Sequence, residues 1–166
     1  MIIRRYKNDD FETIAKLFYD TIHSVNAGDY SAVQLSAWAK NCDNLKKRQN
    51  DLICQKTLIA EIDGVIVGFG NIDNSGYLDL LFVHKNYQRQ GIATALCNES
   101  EKGYDIIKTH ASVTAKPFFE KRGYAVIKPQ EVESFGVKLK NFEMQKRKFN
   151  DLNKEIRWIR PLNRLL

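Results

Sequence analysis

Residues 83–94 read Val-His-Lys-Asn-Tyr-Gln-Arg-Gln-Gly-Ile-Ala-Thr, and this is the most informative segment of the chain. The apolar run before it is typical of a strand, and the apolar spacing after Gly91 is typical of a helix. A glycine at this junction permits a tight backbone approach, and Arg89 adds a fixed positive charge. Because the first N–H groups of a helix have no intrahelical acceptor, they form an anion site suited to phosphates. The stretch therefore predicts an anion-binding loop between a strand and a helix.

This loop differs from two common nucleotide-binding motifs. No Lys-Ser or Lys-Thr pair follows Gly91, as a P-loop requires. The G-x-G-x-x-G fingerprint of dinucleotide-binding folds does not fit either. The sequence therefore does not place the chain in either class.

Helical patterns precede the loop in the first third of the chain. Residues 11–25 carry apolar side chains three or four positions apart, as one face of a helix requires. Asp9 with Glu12 predicts a capping box at the start of this helix. Ser31 with Gln34 predicts the cap of a second helix that ends at residue 39.

Strand patterns dominate from residue 57 onward. Residues 57–72 predict a hairpin whose two-residue turn, Asp63-Gly64, suits positive φ. The remaining elements are predicted in this order: an opening strand at 2–6, a short helix within 41–51, a strand at 77–84, a helix from 92, a strand from 106, a helix at 115–122, and strands at 124–127 and 137–145. The order predicts one mixed α/β domain.

Length and composition limit the class of protein. The chain has 166 residues, of which 43% are hydrophobic and 28% charged, which suits one compact domain and excludes a disordered chain. Its apolar runs are far shorter than the roughly 18 residues of a membrane span, and the N-terminal residues lack a secretory signal pattern. The three cysteines (Cys42, Cys54, Cys97) suggest neither a disulfide framework nor a zinc site. We therefore expect a cytoplasmic protein with no metal and no membrane span.

The positive charge is concentrated at the C-terminus. The formal net charge is +6, and residues 146–166 contain seven of the Lys and Arg residues against two acidic ones. We therefore predict a domain at residues 1–147 and a basic extension at residues 148–166. The extension is interpreted as a solvated terminal segment, and contact with nucleic acid or an anionic membrane is the alternative.

Two segments, in this order, resemble motifs of the GNAT acyl-CoA N-acyltransferase family. Residues 88–93, Gln-Arg-Gln-Gly-Ile-Ala, are similar to the family's Q/R-x-x-G-x-G/A pyrophosphate loop. Residues 112–124 are similar to its N-x-x-A-x-x-[FL]-Y-x-x-x-G-[FY] segment. The resemblance covers residues 2–147, and the helix AVQLSAWA resembles a subgroup of small bacterial members of undefined substrate. It implies a GNAT-like fold, with a central mixed, mostly antiparallel sheet flanked by helices.

The resemblance also implies acetyl-CoA, or a related short acyl-CoA, as the donor. The backbone of Phe82 and Val83 would pair with the pantetheine arm like an added strand, and a free amide, for which Val83 is the candidate, would polarise the thioester carbonyl. The other residues that the resemblance assigns to the donor are Gln88, Arg89, Gln90, Gly91, Ile92, Ala93 and Thr94 in the pyrophosphate loop, and Ser112, Phe118 and Phe119 in the second segment.

Asp79 is the candidate base. A carboxylate among Leu78, Leu80 and Leu81 is costly to bury unless it has a role, and strand alternation puts Asp79 on the same face as Val83. An acceptor ammonium must lose a proton before it can attack, since its pKa is near about 10.4. A solvent-facing aspartate that pairs with a lysine is the structural alternative, and His23 and His84 are the other candidate bases.

The first two helices supply the candidate acceptor site. The family places them over that site, so His23, Tyr30 and Trp38 are predicted to contact the acceptor. For the aromatic residues, including Phe18, a role in the core is the alternative.

Two positions depart from the family pattern. Phe119 stands where a tyrosine often protonates the departing thiolate, and Ser112 stands where asparagine is usual. A thiol pKa near about 8.5 lies only about one unit above cytosolic pH, so the thiolate can leave with little help. Tyr30, Tyr87 or a water could otherwise supply the proton. The Ser112 hydroxyl could bond the pantetheine or only cap a turn.

Three functions are consistent with these residues. The leading one is acetyl transfer to the amine of a small molecule. The second keeps the chemistry but makes the acceptor a macromolecule, such as a protein or a charged tRNA, with the basic extension as its support. The third is a catalytically silent acyl-CoA-binding module, supported by Phe119. A homodimer is left open.

Overall fold

The computed structural model describes residues 1–148 and contains six α-helices and seven strands within them. In chain order these are β1 Ile2–Arg5, α1 Phe11–Ser24, α2 Ala32–Ala39, α3 Cys42–Lys47, α4 Gln49–Cys54, β2 Lys56–Ile62, β3 Val65–Ile72, β4 Leu78–Val83, α5 Ile92–Ser100, β5 Ile106–Ser112, α6 Lys116–Lys121, β6 Ala125–Ser134 and β7 Val137–Arg147. The predicted order of elements is confirmed, except that the region 41–51 holds two short helices. The predicted basic extension falls, apart from Lys148, outside the described residues.

Two antiparallel sheets lie side by side. The first has the strand order β1-β2-β3-β4, and the second has the order β5-β7-β6. They meet where β4 and β5 run parallel, through the bridge between Tyr77 and Lys108. At this junction the Lys108 N–H donates to the Gly76 carbonyl at 3.0 Å. The mostly antiparallel sheet flanked by helices is therefore confirmed.

The strands β4 and β5 separate beyond this junction. The Thr109 hydroxyl donates to the Leu78 carbonyl at 2.8 Å, a bond from a side chain of β5 to the backbone of β4. Further along, neither strand has a partner on this side within residues 1–148, and a cleft opens between Val83 and Ser112. The two sheets thus form a V that opens toward the start of α5.

Helices cover both faces of the first sheet. On one face, α1 packs against β3 and β4 through a cluster that includes Ile14, Phe18 and Phe69, and α2 packs against α1 and β7. On the other face, α5 packs through Ile92 and Leu96. Because α5 contacts β2, β3 and β4, its N-terminus is held at the mouth of the V.

The helix caps agree with the sequence at one of two places. Ser31 and Gln34 form the predicted capping box, with the Gln34 N–H donating to the Ser31 hydroxyl and the Ser31 N–H to the Gln34 side chain. The predicted box of Asp9 and Glu12 is wrong. The Asp10 carboxylate accepts the Lys7 N–H at 2.8 Å instead, because Arg4 binds and orients that carboxylate.

Candidate functional site

A cavity of about 530 Å³ occupies the cleft between β4 and β5. It runs from the start of α5 to the second sheet and reaches α6. Its lining includes most of the predicted donor residues: Phe82, Val83, Gln88, Arg89, Gly91, Ile92, Ala93, Thr94, Ser112, Phe118 and Phe119. Among the predicted donor residues, only Gln90 lies outside this lining, and its amide nitrogen donates to the Asn86 carbonyl at 3.2 Å.

The loop before α5 presents backbone N–H groups to solvent at the mouth of the cleft. Gly91 caps the helix with φ 80°, a left-handed conformation that glycine adopts without strain. The first hydrogen bond of the helix runs from the Ala95 N–H to the Gly91 carbonyl at 2.9 Å. The N–H groups of residues 92–94 therefore precede the helical ladder and remain as donors. Together with the exposed Arg89, they form a positive end suited to a diphosphate.

Arg89 itself has φ 60°, which is uncommon for a residue with a Cβ. Two residues with left-handed backbones, Arg89 and Gly91, thus flank Gln90. Successive N–H groups in such turns point to one side and form an anion-binding concavity. The backbone geometry of this turn and the side-chain charge of Arg89 both favour an anion.

His84 holds the start of this loop. Its Nδ1 accepts the Asn86 N–H at 3.2 Å, and its ring lies edge-on to Tyr87, with 5.7 Å between centroids. His84 therefore caps a turn, and it lines neither of the cavities found in residues 1–148.

The backbone of β4 offers hydrogen-bonding groups to the cleft. The His84 N–H donates to the Val67 carbonyl at 2.8 Å. Because successive N–H groups of a strand point to opposite sides, the Val83 N–H points away from β3 and into the open V. The Val83 carbonyl points the same way and accepts the Gln88 side-chain amide at 2.5 Å.

The same alternation corrects the expectation for Phe82. Phe82 lies opposite Phe69 in the register, so its backbone groups pair with β3. Its ring is buried between Phe18 and Phe69, at centroid distances of 4.8 and 5.5 Å. Leu81, two residues before Val83, turns its backbone toward the cleft instead.

Asp79 lies at a bulge in β4. The register pairs Asn71 with Leu80 but Ile72 with Leu78, so Asp79 is the extra residue. The expected sharing of a face with Val83 assumed unbroken alternation, and the bulge interrupts it. The Asp79 carboxylate is 24% exposed and pairs with the Arg48 guanidinium at 2.9 Å.

A second cavity of about 690 Å³ lies on the side of β4 that packs against α1. It is bounded by α2, α3 and the strands β6 and β7. Five residues line both cavities and so mark the place where they meet: Trp38, Asp79, Phe82, His110 and Ser112. Asp79 therefore lies between the cleft and a separate space large enough for a small molecule.

The predicted acceptor residues are distributed unequally around this second cavity. Tyr30 and Trp38 line it, with their rings edge to face at 5.4 Å. The Tyr30 hydroxyl donates to the Lys140 carbonyl at 2.7 Å and accepts the Val113 N–H at 2.9 Å, and burial raises its pKa. His23 lies outside the linings of both cavities described for residues 1–148, and its Nδ1 is 3.0 Å from the Tyr19 carbonyl.

The second family-like segment closes the far end of the cleft. The Ser112 hydroxyl accepts the Ala115 N–H at 3.1 Å, so it caps the turn before α6. Phe119 is 2% exposed and packs against the rings of Phe118 and Tyr124 at 5.3 and 5.0 Å. Phe119 thus contributes an apolar wall.

Three further residues near Asp79 escaped the sequence analysis. Arg48 binds Asp79 across 31 positions of sequence, which no local pattern reveals. Tyr77 lines the second cavity, and burial together with the nearby Asp79 carboxylate raises its pKa to about 12. His110 packs edge-on to Tyr77 at 5.3 Å and lines both cavities.

Membrane-spanning helices and metal-binding clusters are both absent from the described residues. None of the helices within residues 1–148 is long and apolar enough to cross a membrane. The same part of the chain contains no cluster of three or more His, Cys, Asp or Glu side chains placed to hold a metal ion.

Comparison with known proteins identifies the family. The profile of the acetyltransferase (GNAT) domain matches residues 26–147. An uncharacterized N-acetyltransferase of Escherichia coli K12, YafP, is 35% identical over 144 residues, covering 86% of this chain and 93% of that protein.

Solved structures agree with this assignment. A GCN5-related N-acetyltransferase from Rhodopseudomonas palustris is 35% identical, with a TM-score of 0.84 over 89% of this chain and 95% of the other. The PaiA N-acetyltransferase of Thermoplasma acidophilum, solved in complex with coenzyme A, shares the fold at 20% identity, with a TM-score of 0.72 over 89% of this chain and 98% of the other. A loop of free amides at the mouth of the V between β4 and β5, a matching family profile and these relatives lead to one conclusion: the chain belongs to the GNAT family of acyl-CoA-dependent N-acetyltransferases.

Proposed function

We propose that this protein transfers the acetyl group of acetyl-CoA directly to the primary amine of a small molecule, with Asp79 as the base. The observation that carries the proposal is the position of Asp79, where the cleft between β4 and β5 meets the second cavity. Donor and acceptor can then approach the carboxylate from opposite sides.

The cleft supports acetyl-CoA as the donor. Its mouth offers the free amides of residues 92–94 and the charge of Arg89 for the pyrophosphate. Deeper in the cleft, Leu81 and Val83 offer backbone groups to the pantetheine arm, as an added strand would use them. The coenzyme A bound by the PaiA acetyltransferase, whose fold is similar, agrees with this assignment.

The second cavity supports a small acceptor. Its volume lies in the range of small-molecule sites, and aromatic side chains including Tyr30 and Trp38 form part of its wall. It opens onto the cleft at Asp79, so an amine bound there lies beside the carboxylate.

The reaction follows from this arrangement. The acceptor ammonium gives one proton to Asp79, directly or through a water, and its free lone pair attacks the thioester carbonyl carbon. As the C–N bond forms, charge develops on the carbonyl oxygen, where the Val83 N–H stabilises it. The C–S bond then breaks, and the thiolate leaves and takes up the second proton from nitrogen through solvent. The products are the acetamide and the thiol of coenzyme A, and the proton on Asp79 passes to water.

The departing thiolate needs little acid assistance. Phe119 carries no proton, and the Tyr30 hydroxyl is already bonded to two backbone groups. Because the thiol pKa is near about 8.5, releasing the thiolate costs only about 1.4 kcal/mol for each unit by which this pKa exceeds the pH.

A thiol-release screen tests the proposal. Purified protein with acetyl-CoA is offered small amines, aminoglycosides, peptides and aminoacyl-tRNA, and we expect thiol release with small amines. Asp79→Asn should retain acetyl-CoA binding and lower kcat/KM for the amine by about 10²–10⁴-fold, with a deficit that shrinks at higher pH because more of the acceptor is already neutral.

Asp51→Asn is the matched control. Asp51 also pairs with Arg48, at 3.4 Å, but lies outside the linings of both cavities. Near-wild-type kinetics are expected for it. Binding of acetyl-CoA without thiol release with any acceptor would contradict the proposal in favour of the silent module. Thiol release with aminoacyl-tRNA or peptides alone would show that the acceptor is a macromolecule.

A further inference from the structure

The ion pair at the junction of the cavities limits which amines can bind there. Asp79 is already bound by Arg48 at 2.9 Å. An acceptor with only an ammonium would displace the guanidinium from Asp79 and leave it only the longer contact to Asp51, at 3.4 Å. Nothing on such a ligand would replace the lost Asp79 contact for Arg48, so a purely cationic acceptor is poorly matched.

The rest of the second cavity is also rich in positive charge. Its lining contains Lys47, Arg48 and Lys140 against Asp79 and Glu133. Within residues 1–148, neither Lys47 nor Lys140 has a carboxylate within 4.0 Å. After Arg48 and Asp79 neutralise each other, two cations and one carboxylate remain. This field favours a ligand that carries a negative group as well as its amine.

The Arg48 side chain can accept such a group. It uses Nε toward Asp51 and Nη2 toward Asp79, so Nη1 has no acceptor among the described side chains. A guanidinium has five N–H donors in a planar fork that fits a carboxylate in two-point contact. The side chain is 42% exposed and can turn toward a ligand without leaving a core position.

The geometry points to a zwitterionic acceptor: an amine that also carries a carboxylate, as a free amino acid does. This inference rests on the proposed function. The ammonium binds Asp79, the carboxylate binds Arg48, and one ion pair within the protein is exchanged for two with the ligand. Both charges of the protein remain paired, and the aromatic walls at Tyr30, Trp38 and Tyr77 receive the apolar part of the molecule.

Matched acceptors test the inference. Free amino acids are compared with their primary amides and with the corresponding decarboxylated amines, in the acetyl-CoA thiol-release assay. We expect the best acceptors to be those with the carboxylate. Arg48→Gln should lower kcat/KM for the best of them by about 10- to 100-fold, the range for losing a charge-assisted hydrogen bond, and should leave its amide within about threefold. Because each variant is compared with wild type on the same acceptor, differences in amine pKa cancel.

Two further variants keep the test decisive. Arg48→Lys retains the charge but not the planar fork, so its kcat/KM for the amino acid should lie between those of wild type and Arg48→Gln. Acetyl-CoA affinity shows whether each variant is folded. Lys46→Gln removes a neighbouring exposed charge outside the cavity and should leave the kinetics unchanged. Amides or simple amines with kcat/KM equal to that of the amino acids would overturn the inference but not the proposed function. An equal loss of kcat/KM on all acceptors in Arg48→Gln would do the same. No release from any acceptor would overturn the proposed function with it.

Discussion

Replacing Glu101 by Gln should destabilise the fold strongly, because this carboxylate is buried at the centre of an ion cluster. Glu101 is 3% exposed and accepts bonds from Arg122 at 2.9 Å, Lys146 at 2.8 Å and the Tyr124 hydroxyl at 3.0 Å. The cluster joins the end of α5 to the segment after α6 and to β7. Removing one partner of a buried pair costs about 3–5 kcal/mol, which for a domain of this size lowers Tm by about 6–20 °C.

The loss of stability in Glu101→Gln should be larger at neutral pH than at acidic pH. Burial alone would raise the pKa of Glu101, but hydrogen bonds from Lys146 and Arg122 outweigh it and hold the pKa below its ordinary value. The stabilisation is therefore complete above the ordinary value of about 4.3, and is lost as the pH falls through the lower pKa of the folded state.

Urea unfolding followed by circular dichroism, at several pH values, measures the difference between wild type and Glu101→Gln. We expect the gap in midpoints to be largest near pH 7 and to shrink below about pH 4. Glu99→Gln is the control, because Glu99 lies two residues before Glu101 and pairs with Lys102 at the surface. Equal midpoints for Glu101→Gln and wild type at pH 7 would refute the argument.

Two other substitutions test the walls and the junction of the V. Phe119→Tyr should change kcat by less than about tenfold, since the thiolate leaves readily without an acid. A hundredfold gain in steady-state rate would show that a proton donor at this position matters. Gly76→Ala should lower the free energy of unfolding by about 2–5 kcal/mol, because Gly76 has φ +83° and an added Cβ would lie 2.6 Å from the Ile106 carbonyl oxygen. Gly64→Ala has φ +79° but open space, so it should cost only the strain of about 1–2 kcal/mol in the same denaturation, and equal losses for both would contradict the close approach at the junction.

The elements of the fold could be predicted because their signals are local. The Asp63-Gly64 turn and the Ser31–Gln34 box each lie within four residues, and apolar periodicity marks α1. The bond that closes the turn before α1 could not be predicted, since it depends on Arg4 orienting Asp10 through tertiary contact. The division of the sheet at β4 and β5 also has no local signal, because it arises from pairing between distant strands.

The donor site was more predictable than the acceptor site for the same reason. Residues 88–94 are consecutive, so the loop and its helix are visible in the sequence. The orientation of Leu81 and Val83 follows from alternation once the pairing of β4 is known. The acceptor side depends on Arg48, on Tyr77 and on the bulge at Asp79, which come together only when the turn between α3 and α4 brings Arg48 to β4.

Calorimetric titration of acetyl-CoA into wild type, Gly91→Glu and Gly103→Glu measures whether the loop before α5 binds the pyrophosphate. Gly91 and Gly103 have φ +80° and +87°, and an added Cβ at either meets nothing within 4 Å, so the two variants carry similar strain and the same added charge. At Gly91 the new carboxylate would project toward the pyrophosphate and repel it, whereas Gly103 is not among the residues that line the cleft. We expect wild type and Gly103→Glu to bind acetyl-CoA alike while a folded Gly91→Glu does not, and unchanged affinity in Gly91→Glu would contradict a pyrophosphate site at this loop.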